Sequence, residues 1–134
     1  MVVLMRTLLL ASGALLLGSM SVAPWAVSRA QDAPLVQTVD VAAERFSFTP
    51  SEIKTTVGTV LTIRLTSDDT AHGFRIVGSD VNIEIPKRSR GTATVTFTPE
   101  KAGRYTFECS KLCGAGHSFM RGVIIATEAP KDEE

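Results

Sequence analysis

From Gln31 onward, apolar residues return at every second position and are interrupted by turn formers at short intervals. A period of two belongs to strands that bury one face, so the chain is committed to sheets packed face to face or closed into a barrel. Leu61, Ile63 and Leu65 alternate with Thr62, Arg64 and Thr66, and Val81, Ile83 and Ile85 with Asn82 and Glu84. Ala93, Val95 and Phe97 alternate with a run of threonines. In Gly103 to Cys109, the residues Tyr105, Phe107 and Cys109 share a face, and a last strand is expected over 122–127. Thr49-Pro50-Ser51, Val57-Gly58, Gly78-Ser79-Asp80, Pro86, Pro99 and Ala102-Gly103 supply the connections. An all-β, antiparallel sandwich or barrel is predicted, without a long helix.

The segment before this body has a different logic. Arg6 is followed by an uncharged stretch from Thr7 to Val27, and Ser28-Arg29-Ala30 makes a small-x-small step. Residues 1–30 therefore read as a signal peptide, with an uncleaved single membrane anchor over 7–27 as the rival. Either places the domain of residues 31–129, and the acidic tail 130–134, outside the cytoplasm, in the periplasm or on the outer face of a membrane. Arg6 and Arg29 are the only charged residues before Gln31, which leaves 12 basic against 14 acidic residues in the body. That balance argues against nucleic acid as a partner.

Chemistry is concentrated in one run, Cys109-Ser-Lys-Leu-Cys113-Gly-Ala-Gly-His117-Ser-Phe-Met120. Two thiols, an imidazole and a thioether within twelve residues make a soft donor set suited to copper. Residues four apart on an extended strand lie about 13 Å from each other, so the two thiols converge only if Ser110, Lys111 and Leu112 turn. Once turned, the sulfurs can meet each other as a short-loop disulfide or meet a metal; the disulfide explains the thiols but not His117 or Met120. The chain has one other histidine, His72, placed between strands in Asp69-Thr-Ala-His72-Gly-Phe74. It is the natural further nitrogen ligand. Four-coordinate zinc fits the thiols and imidazoles but not the methionine, and a single-copper electron-transfer site uses one cysteine where this chain has two. A second thiolate is accounted for if both sulfurs bridge two coppers.

These residues resemble the dicopper CuA domain of cytochrome c oxidase subunit II, a cupredoxin fold also found in nitrous oxide reductase. The likeness covers about Phe46 to Thr127 and rests on Asp69 with His72, the His-Gly-Phe step, the AGRYTFEC approach strand and the CxxxCGxxHxxM loop. It implies a Greek-key β-sandwich and two copper ions. By the same resemblance Cys109 and Cys113 bridge both metals, His72 and Met120 complete one, and His117 with the backbone carbonyl of Lys111 completes the other. One-electron transfer follows, with a c-type cytochrome and an oxidase catalytic subunit as implied redox partners. Leu112, Phe119 and Phe74 are expected to exclude water.

The chain departs from that family at two places. Lys111 stands where many members carry a magnesium-binding glutamate, and the sole tryptophan, Trp25, lies in the leader. Arg75, Lys111 and Arg121 flank the ligand segments and predict a docking face less acidic than one that meets basic cytochromes. No histidine remains for haem or a catalytic copper cluster, so the polypeptide is not expected to reduce oxygen by itself. The alternatives are a periplasmic copper-binding and copper-delivery protein, or an exported β-sandwich with a Cys109–Cys113 disulfide and a protein-binding role.

Overall fold

Nine strands form between Val36 and Thr127 in the computed structural model, which describes residues 33–130. The expected leader over 1–30 and the tail residues 131–134 lie outside the described residues. The strands are β1 (Val36–Glu44), β2 (Ser47–Thr49), β3 (Glu52–Thr56), β4 (Val60–Ser67), β5 (His72–Ile76), β6 (Asn82–Ile85), β7 (Ala93–Phe97), β8 (Gly103–Glu108) and β9 (Arg121–Thr127). One sheet has the order β2-β1-β4-β7 and the other β3-β9-β8-β5-β6. Among the described residues the only helical element is a 3-10 turn at His117–Phe119.

The expected β-sandwich is present, with one correction to its sense. β1 runs parallel to β4 and β3 parallel to β9. After β2 the chain lays down β3 in the second sheet and returns as β4, so β4 reaches β1 by a crossover rather than a hairpin, and a crossover permits the parallel sense. β1, β2 and β3 are additions to the strands expected from the sequence, although in β1 Val39, Val41 and Ala43 do turn inward from alternate positions.

The predicted alternations fill the space between the sheets. Leu61, Ile63 and Leu65 are fully buried, while Arg64 between them pairs outside with Asp40 at 2.6 Å. That exposed pair contributes little. Opposite lie Phe74, Ile76, Phe107 and Ile124, each worth roughly 1.5–3 kcal/mol of burial. Phe48, Phe74 and Phe107 touch as a triad with ring centroids 5.1–5.8 Å apart. Phe74 is two residues from His72 and Phe107 two from Cys109, so the triad anchors the strand ends that carry both candidate ligands.

A candidate metal centre at one end of the sandwich

Every sequence-predicted donor lies at the end of the sandwich where β5 begins and β8 ends. The β8–β9 ladder runs to the pair Glu108 and Arg121, and the Cys109 amide donates to the Met120 carbonyl at 3.0 Å, carrying it one step further. Cys109 and Met120 are thus held across from each other by backbone. The intervening residues turn, as the spacing required, and return through the 3-10 turn that begins at His117. Cys109 and Cys113 stand as free thiols with sulfurs 3.7 Å apart, so the disulfide alternative is not formed.

Each sulfur is flanked by two further donors. Cys109 Sγ lies 3.9 Å from His72 Nδ1 and 3.1 Å from the Lys111 carbonyl oxygen. Cys113 Sγ lies 3.8 Å from His117 Nδ1 and 3.8 Å from Met120 Sδ. Donor atoms of His72, Cys109 and Cys113 all fall within 4.8 Å of one another. His72 is fully buried, Met120 and the thiols nearly so, and His117 is half-buried. The Lys111 side chain points away to Glu84, Nζ to Oε2 2.8 Å, leaving only its carbonyl at the site.

Asp69 sets the state of His72. Partial burial pushes the Asp69 carboxyl up, but bonds with His72 and with the Arg45 and Thr70 amides outweigh this and hold it at about 2. A carboxylate 2.7 Å from His72 Nε2 accepts a hydrogen bond there, so the ring proton sits on Nε2 and the Nδ1 lone pair faces the sulfurs. Burial pushes the Cys113 thiol up to about 11, and the adjoining Cys109 thiol adds to it. Two buried thiols side by side are costly to ionise, a cost that a bound cation removes. The donor set, soft and mostly shielded from water, fits copper.

Three features were not read from the sequence. Arg45, between β1 and β2, donates from Nε to the Cys113 carbonyl at 2.7 Å and from its amide to Asp69 Oδ2 at 3.0 Å, tying both ligand segments to one turn. The Phe46 ring lies so close to Gly114 and Gly116 that any Cβ there would fall within 3.0 Å of it. The third is the hold of Asp69 on His72, for which the three-residue spacing is the available signal; Arg45 and Phe46 act at a separation no local pattern reveals. One expectation needs correction. Leu112 and Phe119 are 80% and 81% exposed and do not shield the site, whereas Phe74 is buried as expected. Of the cations that flank the ligand segments, Arg75 pairs with Glu108 and Lys111 with Glu84.

A polar cleft of about 290 Å³ opens beside Cys109, His117 and Met120. The larger hollow, about 460 Å³, lies at the opposite end between the start of β1 and β3 and is lined by no metal-ligating side chain.

Two stacked sheets with His, Cys and Met donors gathered at one end define a cupredoxin, and the cupredoxin-like domain family matches residues 14–126. The chain belongs to the cytochrome c oxidase subunit II family. It is 33% identical over 108 residues to cytochrome c oxidase subunit 2 of Thermus thermophilus, covering 78% of each chain. It matches a second subunit 2 from Thermus thermophilus at the same identity but spans only 63% of that protein. Among solved structures it resembles a chain of a heme-copper terminal oxidase dimer at 30% identity, TM-score 0.61, covering 75% of this chain and 74% of that one. The periplasmic domain of oxidase subunit II from Bradyrhizobium japonicum shares the fold, with TM-score 0.61 at 20% identity over 68% of this chain and 83% of that one.

Proposed function

We propose that this domain carries single electrons through a dicopper CuA centre held by His72, Cys109, the Lys111 carbonyl, Cys113, His117 and Met120. The observation that carries the reading is the arrangement around the sulfur pair. If His72 with Met120 and His117 with the Lys111 carbonyl are the outer donors of two coppers, each sulfur lies next to one donor of each pair. That arrangement would let both thiolates serve both metals. A single-copper site would leave a thiol and a donor unused.

When bound, the copper pair would supply one-electron redox chemistry. The protein's part is to keep its donors in place in both redox states. Asp69 holds the His72 proton on Nε2, the β8–β9 ladder fixes Cys109 and Met120, and Arg45 grips the Cys113 carbonyl. His72 is sealed from solvent and His117 half-open, so the surface beside His117 is the short route for an electron. Both thiols are nearly buried, which disfavours copper delivery, because passing a metal to a partner needs accessible sulfur.

The wider setting is an oxidase-type complex, with the domain exported to the periplasm or outer membrane face and anchored or released according to the fate of residues 1–30. A c-type cytochrome would donate the electron and an oxidase catalytic subunit would accept it. The test is anaerobic loading of the reduced protein with copper. Two coppers per chain, reduced together by one electron equivalent, are expected; one copper per chain overturns the reading.

A further inference from the structure

The loop joining β6 to β7, Pro86-Lys-Arg-Ser-Arg-Gly-Thr92, carries Lys87, Arg88 and Arg90, all exposed. It lies at the metal end: Ile85 pairs with His72, and the Arg88 amide donates to the Asp69 carbonyl at 3.2 Å. Among the described residues none of the three cations is within 4.0 Å of a carboxylate. Of the other charges at this end, Glu84 is bound by Lys111, Glu108 by Arg75 and Asp69 is engaged by His72, while the exposed carboxylates of Glu44 and Asp68 stand against Arg45 and Arg121. The formal charge of the whole chain is zero, so this excess is local. Leu112 and Phe119, both four-fifths exposed, lie on the ligand loop at the same end. Exposed apolar side chains that share one end of a domain with a cluster of unpaired cations mark a docking face for a partner of opposite sign.

We propose that the copper end docks a redox protein whose own docking face is acidic, with the 86–92 loop steering it and Leu112 and Phe119 forming the contact. The proposal rests on the electron-carrier role above and narrows its partner: a lysine-rich, basic cytochrome is the wrong match. Unpaired surface charges act on encounter rate and are screened by salt, whereas the apolar pair acts on the lifetime of the complex. The two contributions are therefore separable.

The test uses the full copper-loaded chain and two probes, a lysine-rich cytochrome c and the same cytochrome with its lysines succinylated. Electron transfer by stopped flow and complex formation by titration calorimetry are followed against ionic strength. The succinylated probe should react at least about tenfold faster at low salt, with a rate that falls as salt rises. Lys87→Gln/Arg88→Gln/Arg90→Gln, in exposed positions, should remove that preference at unchanged copper content. Leu112→Ser should weaken binding while leaving the salt dependence intact. A faster reaction with the basic probe, or an unchanged preference in the triple variant, overturns the proposal. Retention of the chain on phosphatidylglycerol vesicles without discrimination between the cytochromes assigns the loop to a membrane surface and also overturns it. Salt-dependent binding of the succinylated probe without electron transfer upholds the docking face and removes the carrier role instead.

Discussion

Gly73 sits between the proposed ligand His72 and the core residue Phe74, and replacing it by alanine separates the demands of the two. Its backbone is not in the left-handed region, so alanine meets no φ strain; what it meets is the ligand turn. A Cβ there would lie 2.6 Å from the Lys111 nitrogen and 2.8 Å from the Ser110 nitrogen, as well as against the Ser110 hydroxyl. Ordinary contact begins near 3.4 Å, so the turn must retreat by about 0.8 Å. Overpacking of this kind costs roughly 1–3 kcal/mol, while the stiffer unfolded chain returns about 0.5 kcal/mol. The net loss of about 0.5–2.5 kcal/mol corresponds to a fall in melting temperature of roughly 2–20 °C for a domain of this size. The metal site should suffer more, because coordination distances tolerate only about 0.2 Å and the displaced backbone carries the Lys111 carbonyl. Calorimetric melting of the metal-free protein and the absorption spectrum of the copper-loaded protein report the two effects. A Gly73→Ala variant that melts within about 1 °C of the parent and keeps its spectrum would refute the reasoning.

Asp69→Asn leaves a polar group beside His72 Nε2 but removes the charge that fixes the tautomer, and should weaken copper binding roughly 10–100-fold in a chelator competition. In the parent, the depressed Asp69 carboxyl contributes stability that is complete above its ordinary 3.8 and lost as pH falls towards about 2. Acid titrations of the metal-free parent and Asp69→Asn should therefore differ above pH 4 and converge near pH 2; parallel curves throughout would contradict the assignment. Because Cys113 is pushed up to about 11, copper uptake must expel protons, and apparent affinity should rise up to about tenfold per pH unit for each proton released. Flat affinity between pH 6 and 8 would count against two thiolate ligands. Phe107→Ala removes the member of the aromatic triad next to the Cys109 strand end and should cost about 3–5 kcal/mol in urea unfolding, with a loss under 1 kcal/mol arguing that the triad does not anchor the site.

Much of the site was legible because its donors are either contiguous or unique. Cys109 through Met120 declare themselves within one loop, and His72 follows as the only other imidazole. Strands β4 and β6 to β8 were legible because polar and charged residues mark the solvent face cleanly, and β9 because an apolar run follows the ligand loop. β1 was not, since the pattern is diluted by exposed Val36 and half-buried Gln37 and Ala42. The parallel senses of β1 and β3 depend on crossovers that no local period encodes. Leu112 and Phe119 were misplaced for a related reason: in an irregular loop, apolar character does not say which way a side chain points. Arg45 reaches Cys113 across 68 residues, a contact that only the folded sandwich creates.

The most direct test of the central claim, that both thiols bridge a pair of coppers, is the electron paramagnetic resonance spectrum of the oxidised, copper-loaded protein. An unpaired electron shared across the sulfur pair should show hyperfine splitting from two equivalent copper nuclei. Splitting from a single nucleus, with one copper bound per chain, would contradict it.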